Sequence, residues 1–154
     1  AGGSVTSTGG FTYIAGPAIS TISPSAGPTA GGTSVTITGT NLSGVTSVTV
    51  GGASATLGTN TSTSIQITTP AGTAGARDVV LTTAGGSVTS TGGFTYAAAP
   101  TIGTITPSSG STGGGTSVTI TGTNLSGVTS VTIGGATATL GTNTSTSIEI
   151  TTPA

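Results

Sequence analysis

Only three side chains in this sequence of 154 residues are charged: Arg77, Asp78 and Glu149. The chain has no His, Cys, Met or Trp. General acid–base catalysis needs a positioned imidazole, carboxylate, amine or similar group, and the two carboxylates stand at non-equivalent points of the chain. Hydroxyls are plentiful, but no base is available to activate one as a nucleophile. We therefore expect no enzyme and no catalytic residue here.

The same scarcity of charge excludes several classes of ligand. Nucleic-acid binding needs several Lys or Arg to neutralise phosphates, and Arg77 is alone. Zinc sites use His and Cys, and calcium sites gather several carboxylates. The glycine-rich stretches TAGGTS and STGGGTS lack the Lys and the helix of a phosphate-binding loop. We predict no metal, no cofactor and no nucleic-acid partner, and no apolar run is long enough to span a membrane.

Four asparagines stand in N-x-S/T sequons, the pattern of N-glycosylation in exported proteins: Asn41, Asn60, Asn124 and Asn143. In a chain this rich in Ser and Thr, such sequons also arise by chance. Asn41 and Asn124 moreover suit the turn that follows a strand. Glycosylation and a purely structural role both remain open, with Asn60 and Asn143 as the better candidates for a glycan.

The only aromatic residues form two Phe-x-Tyr pairs, Phe11 with Tyr13 and Phe94 with Tyr96. A spacing of two places both rings on one face of a strand. An exposed pair would suit a carbohydrate-binding surface, whereas a buried pair would fill a core that has no other large side chains. We expect the core role.

An internal repeat of 83 residues organises the chain. Residues 1–71 align with residues 84–154 without a gap, with 11 differences and hence 60 identities (71 − 11). The first thirteen residues, AGGSVTSTGGFTY, recur at 84–96, where they follow the strand-like run ARDVVLTT. The segment GTAGARDVVLTT occurs once, at 72–83. The order is therefore an orphan closing strand, a full repeat and a repeat that stops early.

Short alternating runs bounded by Gly, Pro and Asn predict β-strands. They include SVTIT at 34–38 and SVTV at 47–50, and we predict ASATL at 53–57 to be one strand with its apolar side chains on one face. Arg77 and Asp78 should point to opposite faces of a strand; solvent exposure is the simpler interpretation, and a contact at a sheet edge or with a partner is the alternative. No segment has helical periodicity. About seven short strands in some 80 residues predict an all-β fold, a β-sandwich with no helix of note.

The repeats resemble the IPT/TIG domain, an immunoglobulin-like fold. The resemblance lies in PAISTISPSAGPTAGGTSVTITGTNL with VTVGG, in PTIGTITPSSGSTGGGTSVTITGTNL with VTIGG, and in the closing GGFTY. It implies early-type sandwiches, complete at 17–96 and without the last two strands at 100–154. The family's transcription-factor branch uses basic DNA-contacting loops and its plexin-like branch usually carries Cys, and both are missing. The resemblance therefore implies an extracellular or cell-surface protein of a prokaryote.

Residues 100–154 lack counterparts of six apolar residues, namely Val79, Val80, Leu81, Val88, Phe94 and Tyr96. Full burial of three such side chains contributes about 5–9 kcal/mol, against a total stability of about 5–15 kcal/mol for a small domain. The orphan segment 1–13 carries Val5, Phe11 and Tyr13, which match three of the six. We hypothesise that residues 1–13 of one chain complete residues 100–154 of the next by strand addition.

Such head-to-tail contacts do not close and generate a filament. The first functional hypothesis is accordingly a structural subunit of an extracellular filament, whose partners are copies of itself. A second is a carbohydrate- or cell-binding adhesin module with glycans as partners. A third is a passive spacer, with the chain a window of a longer secreted repeat protein.

Overall fold

The computed structural model describes residues 2–154, and its regular secondary structure consists of β-strands joined by turns and loops. The all-β prediction is confirmed: in the described part of the chain no residue is helical, and so no helix there could cross a membrane. The fifteen strands are β1 Ala18–Ser23, β2 Ala26–Pro28, β3 Ser34–Thr40, β4 Ser47–Val50, β5 Ala53–Ser54, β6 Thr56–Asn60, β7 Ser64–Thr68, β8 Gly75–Thr83, β9 Gly86–Ala97, β10 Thr101–Thr106, β11 Ser117–Thr123, β12 Thr132–Ile133, β13 Ala136–Thr137, β14 Thr139–Asn143 and β15 Ser147–Thr151.

The chain divides into two compact units, unit 1 through Ala97 and unit 2 from Ala98 to Ala154. Unit 1 is a sandwich of two sheets with strand orders β1-β3-β7-β6 and β2-β9-β8-β4-β5. All its neighbouring strands are antiparallel except β2 and β9, which run parallel. Residues 2–16 pair with neither sheet, and Ala1 lies outside the described residues.

The two sheets of unit 1 bury their facing side chains in one core. The period of two in β3 turns Val35 and Ile37 inward and leaves the intervening threonine only partly covered. Phe94 and Tyr96 of β9 are 1% and 2% exposed, so their expected core role is confirmed. The fully buried set is Val35, Ile37, Leu42, Val48, Val50, Ile65, Ile67, Val79, Leu81, Phe94 and Tyr96.

The prediction of one strand at 53–57 is wrong. β5 pairs with β4 in one sheet, while β6 pairs with β7 in the other, so the chain changes sheets at Ala55. β5 follows a tight turn at Gly51 and Gly52, whose φ angles of 61° and 85° suit glycine. This division of one run into two strands, together with the short β2, gives unit 1 nine strands where about seven were expected.

Unit 2 reproduces one sheet of unit 1 and little of the other. Its sheet β10-β11-β15-β14 has the register of β1-β3-β7-β6, including a bulge between Ile102 and Thr104 that matches the one between Ile19 and Thr21. Within residues 98–154, only the two-residue strands β12 and β13 represent the second sheet, and no strand takes the places of β8 and β9. The buried core of unit 2 is smaller: Val118, Ile120, Leu125, Ala138, Ile148 and Ile150.

Strands β3 and β11 have the identical sequence SVTITGT and form an internal comparison. Because only β3 is covered by a complete second sheet, we expect the amides of β11 to exchange with solvent faster than those of β3. Hydrogen exchange of the 154-residue chain, read by NMR or by mass spectrometry of peptides, measures this. Equal protection of the two strands would contradict the difference in packing described here.

Candidate functional site

The second sheet of unit 1 shows what covers the first. In unit 1, Ile19 and Ile22 of β1 pack against the core and are partly buried. Ile22 approaches β9 so closely that a Cβ on Gly93 would stand 2.8 Å from its Cδ1 atom. In unit 2 the counterparts of these isoleucines, Ile102 and Ile105, are 65% and 47% exposed. Their exposure follows directly from the absence of a covering strand in residues 98–154.

Ile102 borders an apolar cleft of about 310 Å³ on unit 2. We call it the open face, and its apolar lining is Ile102, Ile120, Leu125, Val128, Val131 and Ile148. Several lining residues also belong to the small core of unit 2 or pack against it. The open face thus corresponds to the inner surface of a sandwich. Residues 98–154 contain no second layer that buries it.

The backbone edge that receives β9 in unit 1 also has a counterpart in unit 2. The N–H of Thr95 donates to the carbonyl oxygen of Ser25 at 2.8 Å, and the N–H of Thr29 donates to the carbonyl oxygen of Ala97 at 3.2 Å. The repeat places Ser108 and Thr112 at the positions of Ser25 and Thr29. Unit 2 therefore carries a carbonyl and an N–H of the types that bind a closing strand.

The hydroxyl of Tyr96 fixes the end of that strand. It donates to the carbonyl oxygen of Pro70 at 2.6 Å, and its ring meets that of Phe94 edge-on with centroids 5.1 Å apart. Burial raises the pKa of the Tyr96 phenol above its ordinary value, although a hydrogen bond with the Thr69 side chain opposes the increase. The repeat places Pro153 where Pro70 stands.

The candidate inter-subunit residues Val5, Phe11 and Tyr13 are all exposed, and none lies in a strand. Phe11 and Tyr13 are 76% and 90% exposed, so the expectation of a core role for this pair is wrong within one chain. The reason is that residues 2–13 pair with no sheet that could bury one of their faces. The two rings are nevertheless already edge-on, with centroids 4.9 Å apart, as Phe94 and Tyr96 are in the core.

All four sequon asparagines use their side-chain Nδ2 atoms to brace the backbone. Asn41 donates to the carbonyl oxygen of Gly16 at 2.9 Å, and Asn124 to that of Ala99 at 3.2 Å. Both have positive φ, 56° and 57°, as expected of Asn in the turn after a strand.

The other two asparagines anchor neighbouring loops. Asn60 is exposed and donates to the carbonyl oxygen of Leu42 at 3.0 Å. Asn143 is half-buried, donates to the carbonyl oxygen of Val128 at 3.0 Å, and has a buried Oδ1 atom without a partner. These bonds give every sequon asparagine a structural role, and glycosylation stays a prediction that suits the exposed Asn60 better than Asn143.

The sequence suggested that Arg77 and Asp78 are simply exposed to solvent, but in the structure both side chains bond to the backbone. The Arg77 guanidinium donates from Nε to the carbonyl oxygen of Thr73 at 3.2 Å and from Nη2 to that of Ala74 at 2.9 Å. The carboxylate of Asp78 accepts a bond from the N–H of Gly92 at 2.8 Å. Asp78 therefore connects β8 to β9 where their register shifts, while Arg77 braces the loop that leads into β8. Among residues 2–154, no three His, Cys, Asp or Glu side chains come together as metal ligands would.

Comparison with known proteins extends this description. A family model described as the IPT/TIG domain matches residues 17–96 and 100–154. The extracellular region of plexin A4 is similar at 26% identity and a TM-score of 0.49, over 90% of this chain and 13% of that one. The surface glycan-binding protein PbSGBP-B of Prevotella bryantii is similar at 17% identity and a TM-score of 0.45, over 89% of this chain and 36% of that one.

A further solved structure contains a xylogluco-oligosaccharide. It is similar at 21% identity and a TM-score of 0.50, over 91% of this chain and 36% of that one. At this level of identity the likeness is one of fold. The chain thus spans 36% of the length of each of these two proteins and 13% of the plexin A4 chain.

The raised pKa of Tyr96 makes unit 1 sensitive to alkali. The unfolded chain releases the phenolic proton near its ordinary pKa of about 10, before the folded chain does. Stability is therefore fully present below that pH and decreases above it. In a Tyr13→Phe background, which leaves Tyr96 as the only tyrosine, we expect the unfolding free energy to fall between about pH 9 and pH 11. Adding Tyr96→Phe should remove most of this fall, and an unchanged fall would assign it to another group.

The hydrogen bond from Tyr96 to Pro70 can be tested at neutral pH. Tyr96→Phe removes only the hydroxyl, and we expect it to lower the unfolding free energy of unit 1 by about 0.5–1.5 kcal/mol. Tyr13→Phe makes the same chemical change on an exposed ring and should have no effect. Urea unfolding curves of the two variants measure the contrast, and equal losses would refute the assigned role.

Proposed function

The chain belongs to the IPT/TIG domain family, and from that premise we propose that it serves as a structural scaffold within a larger extracellular or cell-surface protein. Its part is to connect and hold apart other regions, in the manner of a spacer. The proposal rests on what the sandwich does with its functional groups, not on any single cleft.

The observation that carries the proposal is that residues 17–96 use their aromatic and charged side chains in their own fold. Both rings in residues 17–96 are buried, and the only two charges there, Arg77 and Asp78, bond to backbone. Threonine hydroxyls on the outer face pair with one another, as Thr21 does with Thr38 at 2.7 Å. Within residues 17–96, a surface of Thr, Ser, Gly and Ala without exposed aromatic rings offers little for a sugar to stack on.

The composition also supports a location outside the cell. The structure is held by backbone pairing, apolar burial and neutral hydrogen bonds, and with three charged residues its stability depends little on ionic strength. A prokaryotic surface protein exposed to changing conditions is consistent with such a design. A glycan on Asn60 would further support export, because N-glycosylation is a modification of exported proteins.

Self-assembly into a head-to-tail filament is a second candidate function. One observation favours it: unit 2 has an open apolar face, and the exposed segment 2–13 has the sequence that closes unit 1. A scaffold that is also an assembly unit would join copies of itself through that face.

The scaffold proposal predicts that the 154-residue chain has no affinity of its own for polysaccharide. Electrophoresis through gels containing xyloglucan or other glucans should leave its mobility unchanged, relative to the same gel without polysaccharide. The protein isolated from its source should have an intact mass well above 14.1 kDa. Retardation by a glucan that is lost in a Phe11→Ser/Tyr13→Ser variant would overturn the spacer role and support carbohydrate binding. A native mass of 14.1 kDa would instead favour a discrete assembly subunit.

A further inference from the structure

We propose that unit 1 resists tension applied along the chain, through the pairing of segment 15–28 with segment 85–97. The inference rests on the proposed function, because a spacer in a larger surface protein transmits any pull between the regions that it connects. It goes further than a spacer role, since it assigns mechanical resistance to named contacts. All of these contacts lie within unit 1.

The two segments run side by side and in the same direction. At their start, Gly85 approaches the carbonyl oxygen of Ala15 so closely that no Cβ would fit between them. Further along, Ile22 of β1 packs over Gly93 of β9. At their end, β2 pairs in parallel with the last three residues of β9. The contacts follow the same order in both segments, so the chain enters and leaves unit 1 at opposite ends of β9.

This topology determines how tension acts on the strands. β9 has twelve residues, and at about 3.3 Å per residue it spans about 40 Å between the two ends. A pull between Gly16 and Ala97 therefore moves β1 and β2 towards one end of unit 1 and β9 towards the other. The hydrogen bonds between strands run across the strand direction. The pull therefore shears them together, whereas a pull that peels one strand from another breaks them one after another.

Backbone bonds hold β9 along both of its edges, so a shearing pull meets two rows of contacts. On one edge, the N–H of Thr95 donates to the carbonyl oxygen of Ser25 at 2.8 Å, and the N–H of Thr29 donates to that of Ala97 at 3.2 Å. On the other edge, β9 pairs antiparallel with β8. β1, the first strand to receive the pull, pairs with β3 from its first residue to its last. Sliding of either segment thus requires several backbone bonds to break in one step.

Side chains hold the chain where tension enters unit 1 and where it leaves. At the entrance, Nδ2 of Asn41 donates to the carbonyl oxygen of Gly16 at 2.9 Å. At the exit, the hydroxyl of Tyr96 donates to the carbonyl oxygen of Pro70 at 2.6 Å, and the buried ring of Phe94 lies beside it. These contacts keep the ends of both segments in place, so that tension reaches the paired strands before the ends fray.

The direction of pulling tests the proposal, and introduced cysteines give unique attachment points because the chain has none of its own. The pair Ile14→Cys and Ala98→Cys, both at exposed residues, pulls along the axis of unit 1. The pair Ala71→Cys and Ala98→Cys, also at exposed residues, pulls at the shared end of β8 and β9 and opens their pairing bond by bond. In optical tweezers at one loading rate, we expect unit 1 to unfold at higher force when pulled along the axis. An equal or lower force along the axis would overturn the proposal.

Two proline variants test the individual bonds. Thr29→Pro removes the N–H that bonds to Ala97, and Ala55→Pro removes the N–H that bonds to the carbonyl oxygen of Val48 at 2.9 Å, away from the sheared segments. Forced unfolding is governed by the unfolding rate. At constant force along the axis, we expect Thr29→Pro to unfold about two- to tenfold faster than the wild type, the effect of one backbone hydrogen bond. An equal or larger effect of Ala55→Pro would contradict the assigned bonds, and the comparison of pulling directions requires neither variant to fold.

The outcome of pulling is independent of the tests of the spacer role. A large native mass without affinity for glucans, together with weak resistance along the axis, would keep the spacer role and reject the mechanical one. Strong resistance along the axis in a chain that binds a glucan would keep the mechanical role and reject that of a passive spacer.

Discussion

The burial of one sheet against another is the constraint on which this molecule depends. A sheet of alternating valine, isoleucine and threonine has one apolar face, and only a second layer removes that face from water. Unit 1 meets the requirement with β8 and β9, which supply Val79, Leu81, Phe94 and Tyr96 to the shared core. Unit 2 has nearly the same first sheet, but Ile102 and Ile105 of its strand β10 are largely exposed. The contrast between the two units shows how much the second sheet contributes to burying the apolar side chains of the first.

The core of unit 1 has only two aromatic rings, Phe94 and Tyr96, and both lie on β9. Loss of that strand would therefore remove the largest side chains of the core. In unit 1 the remaining polar groups reinforce the same closure, because Asp78 bonds to β9 and Arg77 braces the loop that leads into β8. The few charges of the chain are thus mainly structural. This use of charge means that Arg77 and Asp78 contribute to the closure of the sandwich.

Much of the fold could be read from the sequence, because its determinants are local. The period of two in SVTIT and SIQIT predicts strands with one buried face, and β3 and β7 have that pattern. The repeat also predicts a sheet in residues 100–154 like the first sheet of unit 1, and the sheet β10-β11-β15-β14 has that strand order. The change of sheet at Ala55 could not be predicted, because it depends on which edges lie nearby and not on the alternation of ASATL. The parallel pairing of β2 with β9 escaped notice for the same reason: its three residues, AGP, carry no strand pattern.

The candidate site was only partly visible beforehand. Alignment of the repeats matches Val5, Phe11 and Tyr13 to Val88, Phe94 and Tyr96, but the sequence does not show what surrounds those three positions in unit 1. That information lies in long-range contacts, such as the packing of Ile22 over Gly93 and the bond from Tyr96 to Pro70. The structural role of the asparagines likewise appears only when their distant carbonyl partners are seen.

The parallel pairing of β2 with β9 has a consequence for how such a chain is made. β2 is among the first strands of its repeat to be synthesised and β9 the last, so each sandwich stays unclosed until its final residues emerge. In a chain of near-identical copies, a late strand could then close on the wrong repeat, the misassembly typical of tandem arrays. Eight of the eleven differences between the copies fall at residues 14–30, a stretch that includes β1 and β2. The copies have therefore diverged most around the edge strand with which the last strand of each repeat must pair, where a difference in sequence can favour the correct repeat over the wrong one.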